Sequence, residues 1–172
     1  TSLIKLVSGK TILVQWDETS PRPYSRHNYV QGTKGAYGGF PDRIAVDYAV
    51  AELPEALRAK LKSQSGRTNY HEWDTNLGPW YDAYDHPLWK KTAEAAKKHG
   101  GHGGMDYVML WRAQDCLLNG EPLDQSVYDA ASWSAVTPLS RASVEQGSAP
   151  QKFPDFTRGL WRTAPKLPIV GA

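Results

Sequence analysis

Two short clusters in this chain combine residue types that could do chemistry. The first is Ser20-Pro21-Arg22-Pro23-Tyr24-Ser25-Arg26, where one tyrosine stands between two arginines. Two prolines fix φ and remove backbone donors, and the residue before each is pushed toward extended geometry. A stiff polar loop of this kind can read a ligand; its structural alternative is a surface turn with ordinary arginines. The second cluster is Gly100-Gly101-His102-Gly103-Gly104. A phosphate cradle needs a glycine turn between a strand and a helix, with amides and the helix dipole facing the anion. This run follows a predicted helix and lacks the G-x-G-x-x-G spacing, so it reads better as a tight interhelical turn that lets the backbone pass close to a neighbour. His102 lies just before a helix start, where a neutral imidazole and a bound anion are both favoured. It is a candidate ligand contact, with capping or a bond to a nearby carbonyl as the alternative. Asp106, one turn inside, suits compensation of the helix dipole better than acid catalysis.

Other chemistries find little support. His99 and His102 are the only close histidine pair, and without cysteine partners or an H-E-x-x-H arrangement a metal site is poorly supported. There is no G-x-S-x-G nucleophile elbow, so the chain alone carries no complete catalytic set. With 20 basic and 18 acidic side chains in 172 residues and no like-charge run, nucleic acid is excluded as a partner. No apolar run reaches the eighteen or so residues of a membrane span. Cys116 is the single cysteine and, beside Leu117 and Leu118, reads as a buried structural thiol. The 7 Trp and 9 Tyr suit either a core or surfaces where a ring meets water on one edge. The chain opens at Thr1 with neither Met nor a basic-then-apolar signal, and reads as an internal start.

The elements that must position these residues follow from the patterning. Leu3 to Trp16 reads as a hairpin turning at Ser8-Gly9-Lys10. A short strand at Asn28–Gln31 turns at Gly32-Thr33-Lys34-Gly35, and Ala36-Tyr37 leads into the loop Gly38–Asp42 before a strand at Arg43–Tyr48. A short helix is expected from Pro54 to Lys62, ended near Gly66, and Asn69–Tyr84 reads as aromatic and irregular. Asp85-His86-Pro87 announces a helix to Lys98, with Lys97, Lys98 and His99 at its negative end. A third helix runs from Met105 to Leu118, with Met105, Met109 and Cys116 on one side, and stops at Asn119-Gly120. A fourth starts on a Ser126 cap with Asp129 three residues on and extends toward Gln146, with Pro138 expected to kink or divide it. The tail from Ser148 to Ala172 is proline-rich and expected to lack regular structure. Strands first and helices later argue for an α+β fold, an open, mostly antiparallel sheet with helices packed on one face.

Taken in order, Gly9-Lys10-Thr11-Ile12, Ser20 to Arg26, Gly32-Thr33-Lys34-Gly35, Tyr84-Asp85-His86-Pro87-Leu88-Trp89, His102-Gly103-Gly104-Met105-Asp106-Tyr107, Val127-Tyr128-Asp129-Ala130-Ala131 and Pro154-Asp155-Phe156-Thr157-Arg158-Gly159 resemble the C-terminal part of glycoside hydrolase family 109. That family belongs to the Gfo/Idh/MocA group of NAD(P)-dependent oxidoreductases. The resemblance covers nearly the whole chain apart from Ala49–Arg67, and the ordered set is far more specific than any one motif.

The resemblance implies that residues 1–172 are the C-terminal substrate-binding and oligomerisation domain of a longer protein, whose N-terminal dinucleotide-binding (Rossmann) domain lies outside this chain. It implies NAD, bound mainly by that absent domain, and a homo-oligomer formed through the sheet. It also implies a glycosidase best known for terminal α-linked N-acetylgalactosamine. There the sugar 3-hydroxyl is oxidised by hydride transfer, a base removes the acidified C2 hydrogen, the glycosidic group leaves, water adds and the hydride returns. The paired carboxylates of an ordinary glycosidase are then not required. By the match of the Ser20–Arg26 loop, Tyr24 is the residue expected to contact the sugar, since a phenol offers both a hydrogen bond and an apolar face; His102 is the second candidate substrate contact. The base and most cofactor ligands would belong to the absent portion. Two rivals remain at this level, a net NAD(P)-dependent sugar oxidoreductase and a non-catalytic sugar-binding or assembly module. The compartment is open, with export through a twin-arginine signal of the full-length protein as the route the resemblance implies.

Overall fold

The computed structural model describes residues 1–47, 52–65, 71–165 and 167. The chain is α+β and divides into two compact units, Thr1–Asp85 and His86–Ala172. Among the described residues the five strands lie in the first unit and the three longest helices in the second, the segregated order that the patterning predicts.

In the first unit β1 (Ser2–Lys5) and β2 (Thr11–Val14) form an antiparallel hairpin in which Leu3 faces Leu13 and Ile4 faces Ile12. Gly9, at φ 84°, supplies the left-handed residue that closes the turn. A second sheet is an antiparallel meander of β3 (Tyr29–Gln31), β4 (Gly35–Gly38) and β5 (Arg43–Val46). Its β4 strand takes in Ala36 and Tyr37, expected to lead into a loop, and Gly38, expected to open that loop. Antiparallel pairing therefore appears as two small sheets. Tyr48, the expected end of the last strand, and Gly66, the expected helix stop, lie outside the described residues.

Helix α1 (Glu55–Ser65) runs past the expected Lys62, and α2 (Gly78–Tyr84) occupies a stretch expected to be irregular. Proline in the first turn of α2 explains the helix, because its missing N–H would have no helical partner there anyway. Asp74 joins these pieces. Its backbone pairs with Ile44 of β5, and its carboxylate accepts from Lys60 Nζ of α1 at 2.7 Å and from the buried Trp80 Nε1 of α2 at 2.8 Å. A buried carboxylate stands only when its lone pairs are filled in this way.

In the second unit α3 (Pro87–His99) starts on the His86 ring, which accepts from Leu88 N, and ends at Gly100. A 3-10 turn at His102–Gly104 leads into α4 (Met105–Asn119), stopped by left-handed Gly120. The glycines of this turn permit a close approach. A Cβ on Gly104 would lie 2.9 Å from Ala96 Cβ, and one on Gly100 would lie 2.7 Å from Tyr107 Cβ. Ala96 and Cys116 are fully buried, and burial pushes the Cys116 thiol pKa up, as befits an inert structural thiol. Arg112 clasps Asp115, Glu121 and Asp124, tying the segment after α4 back onto the helix.

Helix α5 (Val127–Glu145) begins with a reciprocal capping box between Ser126 and Asp129. Of the kink or division expected at Pro138, the division does not occur, and the helix runs through it unbroken. Proline removes one i→i−4 bond, while the capping box and the bonds of the Gln146 amide secure the two ends. The tail carries a single 3-10 turn, Leu160–Arg162, and is otherwise without helix or strand among the described residues.

Candidate functional site

The Tyr24 loop is shaped from within. Asp17 Oδ1 accepts from the amides of Thr19 and Ser20, each at 3.1 Å, and Arg22 Nε lies 3.7 Å from Asp17 Oδ2. Bonds from Ser20, first of all, and Thr19 hold the Asp17 carboxyl below its ordinary range. At the far end the His27 amide donates to Ser25 Oγ at 3.1 Å, with His27 itself at φ 49°. Between these anchors Arg26 Nε donates to Tyr24 Oη at 2.7 Å, and the Tyr24 ring meets Phe40 edge-on with centroids 5.6 Å apart. Tyr24 is 71% exposed. Its oxygen accepts from a guanidinium, so the phenolic proton is left to donate outward.

Phe40 belongs to the turn between β4 and β5, where the Gly39–Phe40 and Phe40–Pro41 bonds are both cis. Two residues on, Asp42 Oδ1 accepts from Tyr37 Oη at 2.8 Å, and Oδ2 accepts from Tyr81 Oη of α2 at 3.3 Å. The bond to Asp42, followed by burial, raises the Tyr37 pKa to about 12, so this phenol donates and does not act as a base. On the sheet face carrying Tyr29, Gly38 and Arg43, the missing side chain of Gly38 leaves room for its neighbours. The Arg43 guanidinium lies 4.9 Å from the Trp73 ring centroid, and Tyr29 meets Trp73 edge-on at 6.2 Å.

His102 lies in the second unit. Its Nδ1 is 2.9 Å from Asp106 Oδ2, and its backbone is left-handed at φ 51°. The α4 N-cap is Gly104 and makes no side-chain cap bond, so His102 pairs with the carboxylate one turn on instead of capping the helix. Asp106 sits in the first turn of α4, at the positive end of the dipole. Each candidate contact thus has defined surroundings inside its own unit.

The family described as "Glycosyl hydrolase 109, C-terminal domain" matches residues 1–163. The chain belongs to glycosyl hydrolase family 109. Among its relatives is a protein of Shewanella oneidensis named "Alpha-N-acetylgalactosaminidase", 55% identical over 172 residues, all of this chain and 34% of that protein. A "Glycosyl hydrolase family 109 protein 2" of Shewanella sp. strain MR-4 is 54% identical over 99% of this chain, and a "Glycosyl hydrolase family 109 protein" of Shewanella woodyi is 53% identical over the whole of it. The chain spans about a third of the length of these curated relatives.

The NAD implied by the resemblance does not fit the glycine-rich turn of this family 109 chain. The outer face of Gly101 is filled by Asp106 Oδ2, 2.6 Å from where a Cβ would stand. Gly100 and Gly104 are pressed against α3 and α4. A carboxylate therefore occupies the helix start that a pyrophosphate would need. Among the described residues no group of three His, Cys, Asp or Glu could hold a metal ion, and no helix is long and apolar enough to cross a membrane. Sequence reasoning missed Asp42, Tyr37 and Tyr81. Asp42 and Tyr81 stand 39 positions apart, and the one local signal was a Pro-Asp pair closing a glycine-rich turn.

Proposed function

We propose that this chain supplies sugar-contacting residues of an NAD-dependent glycosidase acting on terminal α-linked N-acetylgalactosamine. The dinucleotide is assigned to a domain outside residues 1–172, since the turn at Gly100–Gly104 does not accept it. The observation that carries the reading is the 55% identity, over the whole chain, to a relative named for that activity. The Tyr24 loop supports it locally, because an exposed phenol with its proton free and its ring braced by Phe40 can bind a hydroxyl and cover a sugar face. His102, with Nδ1 committed to Asp106, offers Nε2 as a second contact in its own unit.

The test is Tyr24→Phe in the full-length protein, assayed on an aryl α-N-acetylgalactosaminide with the nicotinamide absorbance followed in parallel. We expect kcat/KM to fall about five- to tenfold, the worth of one neutral hydrogen bond, with cofactor bound and no net reduced nicotinamide formed. Unchanged kinetics would remove Tyr24 from the site. Reduced nicotinamide accumulating in step with substrate would replace the glycosidase by a net oxidoreductase.

A further inference from the structure

The turn that braces Tyr24 is built around a carboxylate. Asp42 Oδ1 and Tyr37 Oη crowd the position where a Cβ on Gly39 would stand, at 2.7 and 3.1 Å, so Gly39 is the residue that leaves room for them. Asp42 is half-buried, and its Oδ1 is seated by the 2.8 Å bond from Tyr37. Among the described residues Oδ2 receives the 3.3 Å bond from Tyr81, longer than the roughly 2.6 Å usual for a hydroxyl on a carboxylate. An ionised carboxylate has about four lone-pair positions, so this one is held in place with capacity to spare. Around it Phe40 and Tyr81 are 45% and 49% exposed. Apolar ring faces beside a fixed, unsaturated acceptor suit a neutral sugar, which presents C–H faces and O–H donors together.

We propose that Asp42 is a specificity-determining sugar contact, whose Oδ2 accepts a hydrogen bond from a ring hydroxyl of the sugar that Tyr24 meets. This rests on the N-acetylgalactosamine reading above. It assigns Tyr37 and Tyr81 the work of orienting the carboxylate, and it makes the site hostile to acidic sugars.

The experiment is calorimetric titration of the full-length protein with N-acetylgalactosamine and its 3-, 4- and 6-deoxy analogues, in wild type, Tyr24→Phe and Asp42→Asn. We expect Asp42→Asn to weaken N-acetylgalactosamine about ten- to hundredfold, the range for a hydrogen bond to a charged group. One deoxy analogue should bind wild type and Asp42→Asn nearly equally, because it lacks the hydroxyl that Asp42 reads. If every deoxy penalty is as large in Asp42→Asn as in wild type, the proposal is overturned, even if overall affinity has dropped. Should Asp42→Asn fail to fold, Tyr37→Phe reports on the same point. Unseating Oδ1 should narrow the margin between N-acetylgalactosamine and that analogue, and an unchanged margin overturns the proposal. A loss with Tyr24→Phe but none with Asp42→Asn removes Asp42 alone; no loss with either removes the N-acetylgalactosamine reading as well.

Discussion

Burial alone would raise the Asp74 carboxyl, yet Lys60, Trp80 and the Asn76 amide together hold it below its ordinary 3.8. A carboxyl depressed in the folded state contributes stability that is present above its unfolded pKa and lost as pH falls through the folded one. The first unit should therefore weaken as pH drops below about 4, the unfolded carboxylate value. Asp74→Asn should flatten that acid limb and cost about 3 kcal/mol at neutral pH, because Lys60 loses its carboxylate counter-charge in a largely buried setting and keeps only neutral partners such as the Asn76 carbonyl. Urea midpoints measured across the acid range would show both effects, and an unaltered acid limb would count against the assignment. None of this was legible in the sequence. Lys60 and Trp80 lie 14 and 6 positions from Asp74, and no linear pattern joins a lysine, an aspartate and an indole at such separations. The shape of the Tyr24 loop was legible because it is set by immediate neighbours, whereas the Asp42–Tyr81 contact forms only when α2 brings Tyr81 to the turn.

The joint between α3 and α4 separates two roles of glycine. Gly103 and Gly104 are both left-handed, at φ 71° and 100°, but a Cβ on Gly103 meets nothing within 4 Å while one on Gly104 strikes Ala96. Gly103→Ala should cost only the left-handed penalty, about 1 kcal/mol. Gly104→Ala adds the collision and should cost about 3 kcal/mol or more. Denaturant unfolding of the two variants would measure the difference, and equal losses would mean that close packing is not the reason for the second glycine. This joint was readable in advance because long helical patterns flank a dense glycine run. The seven-residue α2 was not, since it is too short for a 3.6-residue period to repeat and its Gly78-Pro79 start resembles a turn. At Pro138 the local rule was sound but incomplete, because a helix fixed at both ends can absorb one missing bond.

Leu3, Ile12 and Leu13 of the hairpin and Met109, Leu110 and Leu117 of α4 are all exposed, and a lone two-stranded hairpin is at best marginally stable in water. Produced by itself, the chain should self-associate and bind an apolar dye, as size-exclusion chromatography with light scattering and a dye titration would show. A dye-silent monomer would indicate that these faces need no cover. The α+β class was legible from element order, but the exposure of these apolar side chains was not, because patterning marks apolar residues without saying which of them find partners. The Tyr24 loop stands apart from that dependence. Among the described residues its contacts run from Asp17 to Phe40, so in engineering terms it is a portable cassette. Its tip can be varied or exchanged among homologous scaffolds together with its own anchors.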